Sequence, residues 1–449
     1  MRGGRDPAGL SGPDNVSQKR SSVRQFERSG VHPVLTNART PEHPNRRTLF
    51  SREACLTSIR YLAVYYFCYF AAVGVFEPYL APFWRQTGFS PAQIGLLNSI
   101  MPGVGVIGPF LWTAYADATR KGERIFLLNT WISALMALLI PHFDRFAVVA
   151  VVILFFALFR TALISLANSM TFRALAGRRE GFAAVRLWGT IGYILAAVGS
   201  GIVVDRLGLW VGLHGVAAAM IVCGLVGWFG RSRKRVDLPT VGLGDILQPL
   251  QNRQFALLLM ASALARVSSG PYETFFTIHL ERLGLSGTFA GVAWALAAGS
   301  ELAIMLCWAR MCGWASPRAW MIAALLCHPL RWALSMYARD PLALLLTQLT
   351  HAFTFGVFYL AAVQTVDTLV PDGLRASAQG LLSSVTFGVG GLAGNALAGL
   401  LYEPLGMTWL YAAAALLSAG STLLYWVGTG RLVKGELRVA APLPGDKLR

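Results

Sequence analysis

The stretches GVFEPYLAPFWRQTGFSPAQIG (residues 74–95) and GPYETFFTIHLERLGLSGTFAG (residues 270–291) align without a gap. Gly74 meets Gly270, Glu77 meets Glu273, Gly88 meets Gly284, Ser90 meets Ser286 and Gly95 meets Gly291, all at an offset of 196 residues. A second pair, GIVVDRLG from Gly201 and GLLYEPLG from Gly399, repeats at an offset of 198. Two matches at nearly one spacing mark a duplicated unit. Each copy of the first stretch holds one acid inside an apolar, aromatic run, where an ionisable group is costly unless it faces a cavity or a partner. Proline accompanies both: Pro78 and Pro82 follow Glu77, and Pro271 precedes Glu273. Proline removes a backbone donor, so a bend is expected in each copy, either a hinge or a packing kink.

The composition around these stretches belongs to a membrane protein. Of 449 residues, 55% are hydrophobic and 14% charged, and the mean hydropathy is +0.52; soluble domains carry about 25% charged residues. The net charge of +17 raises nucleic acid as a partner, but its distribution argues against one. Eleven of the 39 Lys and Arg fall in the first 60 residues, and most others lie in short segments between apolar stretches. The six cysteines are scattered and form no CxxC pair, so neither a disulfide framework nor a metal site is expected. No cofactor is implied. The phosphate-cradling pattern GxxxxGK[ST] is absent, which excludes this route to ATP-driven transport. The loops are too short for a catalytic set, so the chain reads as a non-enzyme.

About 20 apolar residues span the hydrocarbon. Twelve such spans are expected, at 58–83, 92–117, 124–142, 145–170, 181–205, 209–230, 254–281, 287–310, 317–338, 341–369, 375–402 and 407–429. Loops after the even spans hold fourteen Lys and Arg, against five after the odd spans. Basic loops stay cytoplasmic, which places both termini and the longest loop, 231–253, on that side of a cytoplasmic (inner) membrane. The organisation read from the chain is a disordered basic cytoplasmic tail (1–54), an N-terminal six-helix half (55–232), a cytoplasmic linker (233–253), a C-terminal six-helix half (254–430) and a cytoplasmic tail (431–449). No apolar core follows Met1, so the first tail is not a signal peptide; it is either a tail or a start placed too early. The fold class is an all-α membrane protein of twelve transmembrane helices in two pseudo-symmetric six-helix halves. Parallel repeats of this kind hold substrate between them near the midplane.

Polar residues inside the spans are the candidates for a site: Glu77, Arg160, Arg186, Arg266, Glu273, Glu301, Arg331, His351 and Asp367, with Asn168, Gln364 and Asn395 beside them. Glu77 and Glu273 are expected to face one central cavity from the first helix of each half; the alternative is local capping by a hydroxyl or an Arg. Arg266 and Glu273, seven residues apart, share a helix face two turns apart, pointing to one cavity without touching. Arg160 and Asp367 read as snorkelling or loop-anchoring residues near a membrane boundary. Glu301, Arg331 and His351 lie on three successive spans; if their side chains converge they form a switchable charge set, the alternatives being a fixed salt bridge or a His351 that faces solvent-filled space without titrating. Trp188, Tyr193, Phe275, Phe276, Phe355, Phe358 and Tyr359 are the aromatic candidates for a ring site.

The twelve-span plan with basic inner loops resembles the major facilitator superfamily over residues 58–430. AYADATRKGER is similar to its inner-loop motif: Asp117, Arg120, Lys121 and Arg124 match the motif's charges, while Thr113 replaces its usual Gly. A closer resemblance is to the phenylpropionate permease-like group, related to the lactose and nucleoside proton symporters. It is carried by VRLWGTIGY (185–193), GSELAIM (299–305), HPLRWAL (328–334) and LTHAFTFGVFYLAA (349–362). The resemblance implies that Arg186 binds substrate, that Tyr193 stacks on a ring, and that Glu301, Arg331 and His351 take part in coupling. Two positions depart from the symporter pattern: Asn168 replaces the acid that pairs with the Arg, and Thr354 replaces the proton-carrying Glu.

Together these readings give a secondary active transporter that works by alternating access. Glu77, Asn168, Arg186, Tyr193 and Glu273 are expected to bind substrate. Glu301, Arg331 and His351 are expected to couple protons, and Asp117, Arg120, Lys121 and Arg124 form the conformational inner loop. The expected partners are a small aromatic or carboxylate-bearing solute, protons and membrane lipid, around a monomer. The open alternatives are a sugar or nucleoside proton symporter, an exporter driven by proton exchange, and a solute sensor with the same fold.

Overall fold

The structure is a computed structural model that describes residues 46–175, 180–229 and 247–440. The tail expected at 1–54, most of the linker at 233–253, Arg178, Arg179 and the last nine residues lie wholly or largely outside the described part, as does the side chain of Asp117. Among the described residues every regular element is helical. In the first part of the chain these are α1 (Arg46–Gln86), α2 (Pro91–Gly105), α3 (Gly108–Thr119), α4 (Gly122–Leu139), α5 (Phe146–Arg160), α6 (Leu163–Ala174), α7 (Glu180–Leu207) and α8 (Leu209–Phe229). There follow α9 (Arg253–Ser268), α10 (Gly270–Arg282), α11 (Gly287–Met311), α12 (Pro317–Tyr337), α13 (Pro341–Leu349), α14 (Phe358–Leu369), α15 (Arg375–Ser383) and α16 (Gly391–Ala440). Two π-helical turns interrupt the later helices, Ala352–Val357 between α13 and α14 and Ser384–Gly390 between α15 and α16.

Nine segments of the described residues are long and apolar enough to cross a bilayer, where twelve were expected. Three local features account for the difference. Ser269 separates α9 from α10, of 16 and 13 residues, and neither is long enough alone. α12 has 21 residues, but Arg318, His328 and Arg331 reduce its hydropathy. The spans expected at 375–402 and 407–429 lie in one segment, Arg375–Gly430, with Gly406 at φ +68°.

The sequence repeat is visible in the backbone. Gly88 and Gly284 both adopt positive φ, +90° and +76°, a conformation that costs glycine little. Ser90 and Ser286 then cap α2 and α11, accepting the amides of Gln93 and Phe289 at 3.3 and 3.1 Å. Gly208 and Gly406, at the offset of the second repeat, are also left-handed. The prolines do not act alike. α1 runs unbroken through Pro78 and Pro82, whereas the other copy breaks at Ser269, just before Pro271.

The helices of the unit Ser51–Arg449 pack through small residues. Apolar burial drives helices together only weakly in lipid, so close backbone approach matters more. α2 packs on α16 where Gly95 meets Asn395 and Gly399; α7 packs on α11 where Gly291 meets Ala197 and Gly201 meets Gly287. Two of these contacts, Gly95–Gly399 and Gly201–Gly287, join a residue of the first repeated stretch to a residue of the second. The α7–α11 contact is also tied by polar groups. Asp205 accepts the amides of Gly287 (2.6 Å) and Thr288 (2.8 Å) and the Thr288 hydroxyl (2.5 Å). The Tyr79 hydroxyl lies 3.0 Å from both the Ala197 and Gly287 carbonyls.

Candidate functional site

A cavity of about 440 Å³ is walled by α1, α2, α5, α7, the broken pair α9–α10, α11, the first π-helical turn and α16. Glu77 and Glu273 both line it, as expected from the repeat, together with Arg186, Tyr193, Glu301 and His351. Glu77 is exposed to this space and accepts a hydrogen bond from the Tyr193 hydroxyl at 3.1 Å. Glu273 is held differently. Arg266 forms an ion pair with it, one guanidinium nitrogen donating at 2.7 Å. That corrects the expectation that the two do not touch. The expectation left out side-chain reach: the long arginine side chain on α9 spans the interruption at Ser269 to reach Glu273 on α10. The two acids that match in sequence thus have different partners.

Arg186 stacks on the Phe70 ring, its guanidinium carbon 3.8 Å from the ring centre, with Tyr66 at 5.7 Å. Asn168 does not line the cavity; its side-chain oxygen accepts the Tyr66 hydroxyl at 2.6 Å. Tyr66 therefore links Asn168 to Arg186.

Glu301, Arg331 and His351 converge. Arg331 is buried, and donates to His351 Nδ1 at 2.9 Å, to the Thr354 hydroxyl at 2.8 Å and to Gln348 at 3.3 Å. Arginine only donates, so Nδ1 of His351 accepts and the proton of the neutral ring sits on Nε2. That nitrogen faces the Glu301 carboxylate at 3.8 Å. Thr354 therefore serves as an acceptor for Arg331. Arg331 itself lies in a small adjoining chamber behind His351 and Glu273. The π-helical turn beginning at Ala352 follows His351 directly and carries Phe355 into the cavity wall. Such turns often occur at functional positions within helices.

Of the aromatic candidates, Tyr193 and Phe355 line the cavity. Phe275 instead stacks on Tyr402 in the core, and Trp188 is exposed away from the cavity wall. The wall also contains Phe70, Phe76, Tyr272 and Trp294, which the sequence reading did not select. Arg160 is a further correction. It is 9% exposed and lines the cavity, rather than snorkelling to a boundary. Its place well inside the 145–170 span was the available signal. Asp367 does act as an anchor, facing Arg375 at 4.0 Å and accepting from Gln379 at 3.1 Å. Arg120 and Lys121 lie on the turn between α3 and α4 and Arg124 in the first turn of α4, all outside the cavity, with Arg120 at φ +53°.

A helical membrane bundle around a charged, ring-lined cavity is the architecture of a solute carrier. Residues 59–413 match the MFS_1-like family model, and the chain belongs to that family of transporters, as an integral multi-pass membrane protein. It is 25% identical over 351 residues to a maltose permease of Geobacillus stearothermophilus, covering 76% of this chain and 86% of that protein. It is also 25% identical over 375 residues to a probable 3-phenylpropionic acid transporter of Escherichia coli (strain K12), covering 80% and 96%. A crystal structure of the nucleoside transporter NupG (D323A mutant) superposes with a TM-score of 0.76 at 19% identity, over 83% of this chain and 99% of that one. These relatives are transporters rather than enzymes.

Proposed function

We propose that the chain is a proton-coupled secondary transporter that moves a small ring-bearing or carboxylate-bearing solute by alternating access. The observation that carries this reading is the convergence of Glu77, Glu273 and Arg186 on one cavity. In this reading twelve spans form two six-helix halves, and the cavity lies between them. Arg186, Tyr193, Glu77 and Glu273 contact solute, while Asn168 positions Arg186 through Tyr66. The proton is exchanged at Glu301, beside the hydrogen-bonded His351–Arg331 pair. Transition of the Glu301 carboxylate between neutral and ionised forms would alter its attraction for His351 and Arg186, which gives coupling a physical basis. A sugar or nucleoside is the second reading, favoured by the maltose permease and NupG similarities.

Uptake by the purified protein in liposomes, with an imposed proton gradient, tests this reading. A carrier accumulates solute above equilibrium, whereas a sensor with the same fold accumulates none. Arg186→Lys is expected to weaken apparent affinity by about 10–100-fold with folding intact. Lysine keeps the charge but loses the planar group that stacks on Phe70 and forms paired hydrogen bonds. Unchanged uptake would remove Arg186 from the solute site.

In this reading both termini and the 231–253 segment lie on the cytoplasmic side of a cytoplasmic (inner) membrane, on the basis of loop charge. Single cysteines placed in that segment of a cysteine-free variant should resist a membrane-impermeant thiol reagent added to intact cells. Labelling before lysis would reverse the assigned orientation.

A further inference from the structure

The cavity and its adjoining chamber bring together four guanidinium groups, those of Arg160, Arg186, Arg266 and Arg331. Three carboxylates answer them: Glu77, Glu273 and Glu301. Counting these arginines against these carboxylates, one positive charge is left over. Arg331 has three hydrogen bonds, whereas Arg160 and Arg186 have neither an ion pair nor a strong acceptor, and of these two Arg160 is the more buried. Glu273 is taken by Arg266, Glu301 faces His351, and Glu77 accepts from Tyr193. Among the described residues, no carboxylate lies within ion-pair distance of Arg160.

Its contacts are weaker in kind. One nitrogen of Arg160 approaches the Met101 sulfur at 3.4 Å, and the guanidinium carbon lies 5.2, 5.6 and 5.7 Å from the Tyr69, Phe76 and Phe156 ring centres. A thioether is a poor acceptor, and five N–H groups need partners. Ring faces attract a cation without neutralising it. A largely buried cation of this kind calls for an anion.

We infer that Arg160 supplies the counter-charge for the transported solute, and that the cavity takes a small organic monoanion whose charged group docks on this guanidinium. The inference rests on the cavity being the solute site. The guanidinium lies among three rings, of Tyr69, Phe76 and Phe156, and Arg160 lines the cavity. Arg186 then contacts the remainder of the solute. The transported species is the anion; its neutral analogue leaves the excess charge uncompensated.

The full-length protein in lipid nanodiscs provides the test, with Tm and equilibrium binding as readouts. The probes are 3-phenylpropionate, benzoate and glucuronate, each beside its neutral amide, with maltose and uridine as neutral ligands. At least one carboxylate is expected to raise Tm by a few degrees where its amide does not. Arg160→Met is expected to weaken that binding about 30-fold or more. Without ligand, the same variant should melt at or above the wild-type temperature, because it removes a buried charge that has no ion pair at contact distance, and Glu77 keeps its hydrogen bond from Tyr193. A structural cation would give the opposite sign, so a clearly lower Tm for Arg160→Met would overturn the inference. Equal binding of maltose or uridine by wild type and Arg160→Met, without any carboxylate preference, would overturn it while leaving the solute cavity in place. Binding by none of the probes, together with no uptake, would remove the solute-site reading and this inference with it.

Discussion

Valine at Gly291 is expected to reduce transport at least about tenfold while the protein still folds and binds solute. A Cβ at this position would lie 2.2 Å from the Ala197 carbonyl oxygen and 2.9 Å from its carbon. Overpacking against movable side chains costs about 1–3 kcal/mol. Here the obstacle is backbone, which yields less readily, and a tenfold population change requires only about 1.4 kcal/mol. The variant should therefore disfavour the state in which α7 and α11 touch, and alternating access requires both states. Gly299 on the same helix is the control, since its nearest atom is the tip of Ile194 at 4.0 Å. Gly299→Val should transport far better than Gly291→Val. Wild-type uptake by Gly291→Val would show that the α7–α11 contact is not part of the cycle.

The two repeat-related acids are expected to respond differently to the same substitution. Glu273→Gln strands the Arg266 guanidinium. Breaking a fully buried pair costs about 3–5 kcal/mol, an upper range here because each side chain keeps about a fifth of its exposure. A loss of about 2 kcal/mol is expected, with stability restored in part by Arg266→Met in the same chain. Glu77→Gln keeps an oxygen for the Tyr193 hydroxyl and should change stability by less than about 1 kcal/mol. Denaturation in detergent separates the two. If either acid carries the coupled proton, its Gln variant loses uphill accumulation and retains downhill exchange. Equal stability losses would show that the ion pair contributes nothing particular to Glu273. Normal accumulation by both variants and by the double variant would leave the proton to Glu301 or His351.

The membrane class, the duplicated unit and the acids at 77 and 273 were legible in the chain because they are local properties. Apolar run length follows from bilayer thickness, and positive-φ turns select glycine, so Gly88 and Gly284 were already matched as letters before their φ angles were known. That Glu301, Arg331 and His351 lie on three successive spans was legible too; that they converge came from the packing.

What only the tertiary structure decided was the partner of each charge. Glu77 and Glu273 are equivalent in sequence, yet one bonds a tyrosine of α7 and the other an arginine of α9. Arg160 faces the cavity because α5 meets Tyr69 and Phe76 of α1. Hydropathy measures whether a segment prefers lipid; it does not specify which neighbours surround a side chain at a given depth. Charge compensation acts over a few ångströms between helices distant in sequence, so it is fixed only when those helices pack.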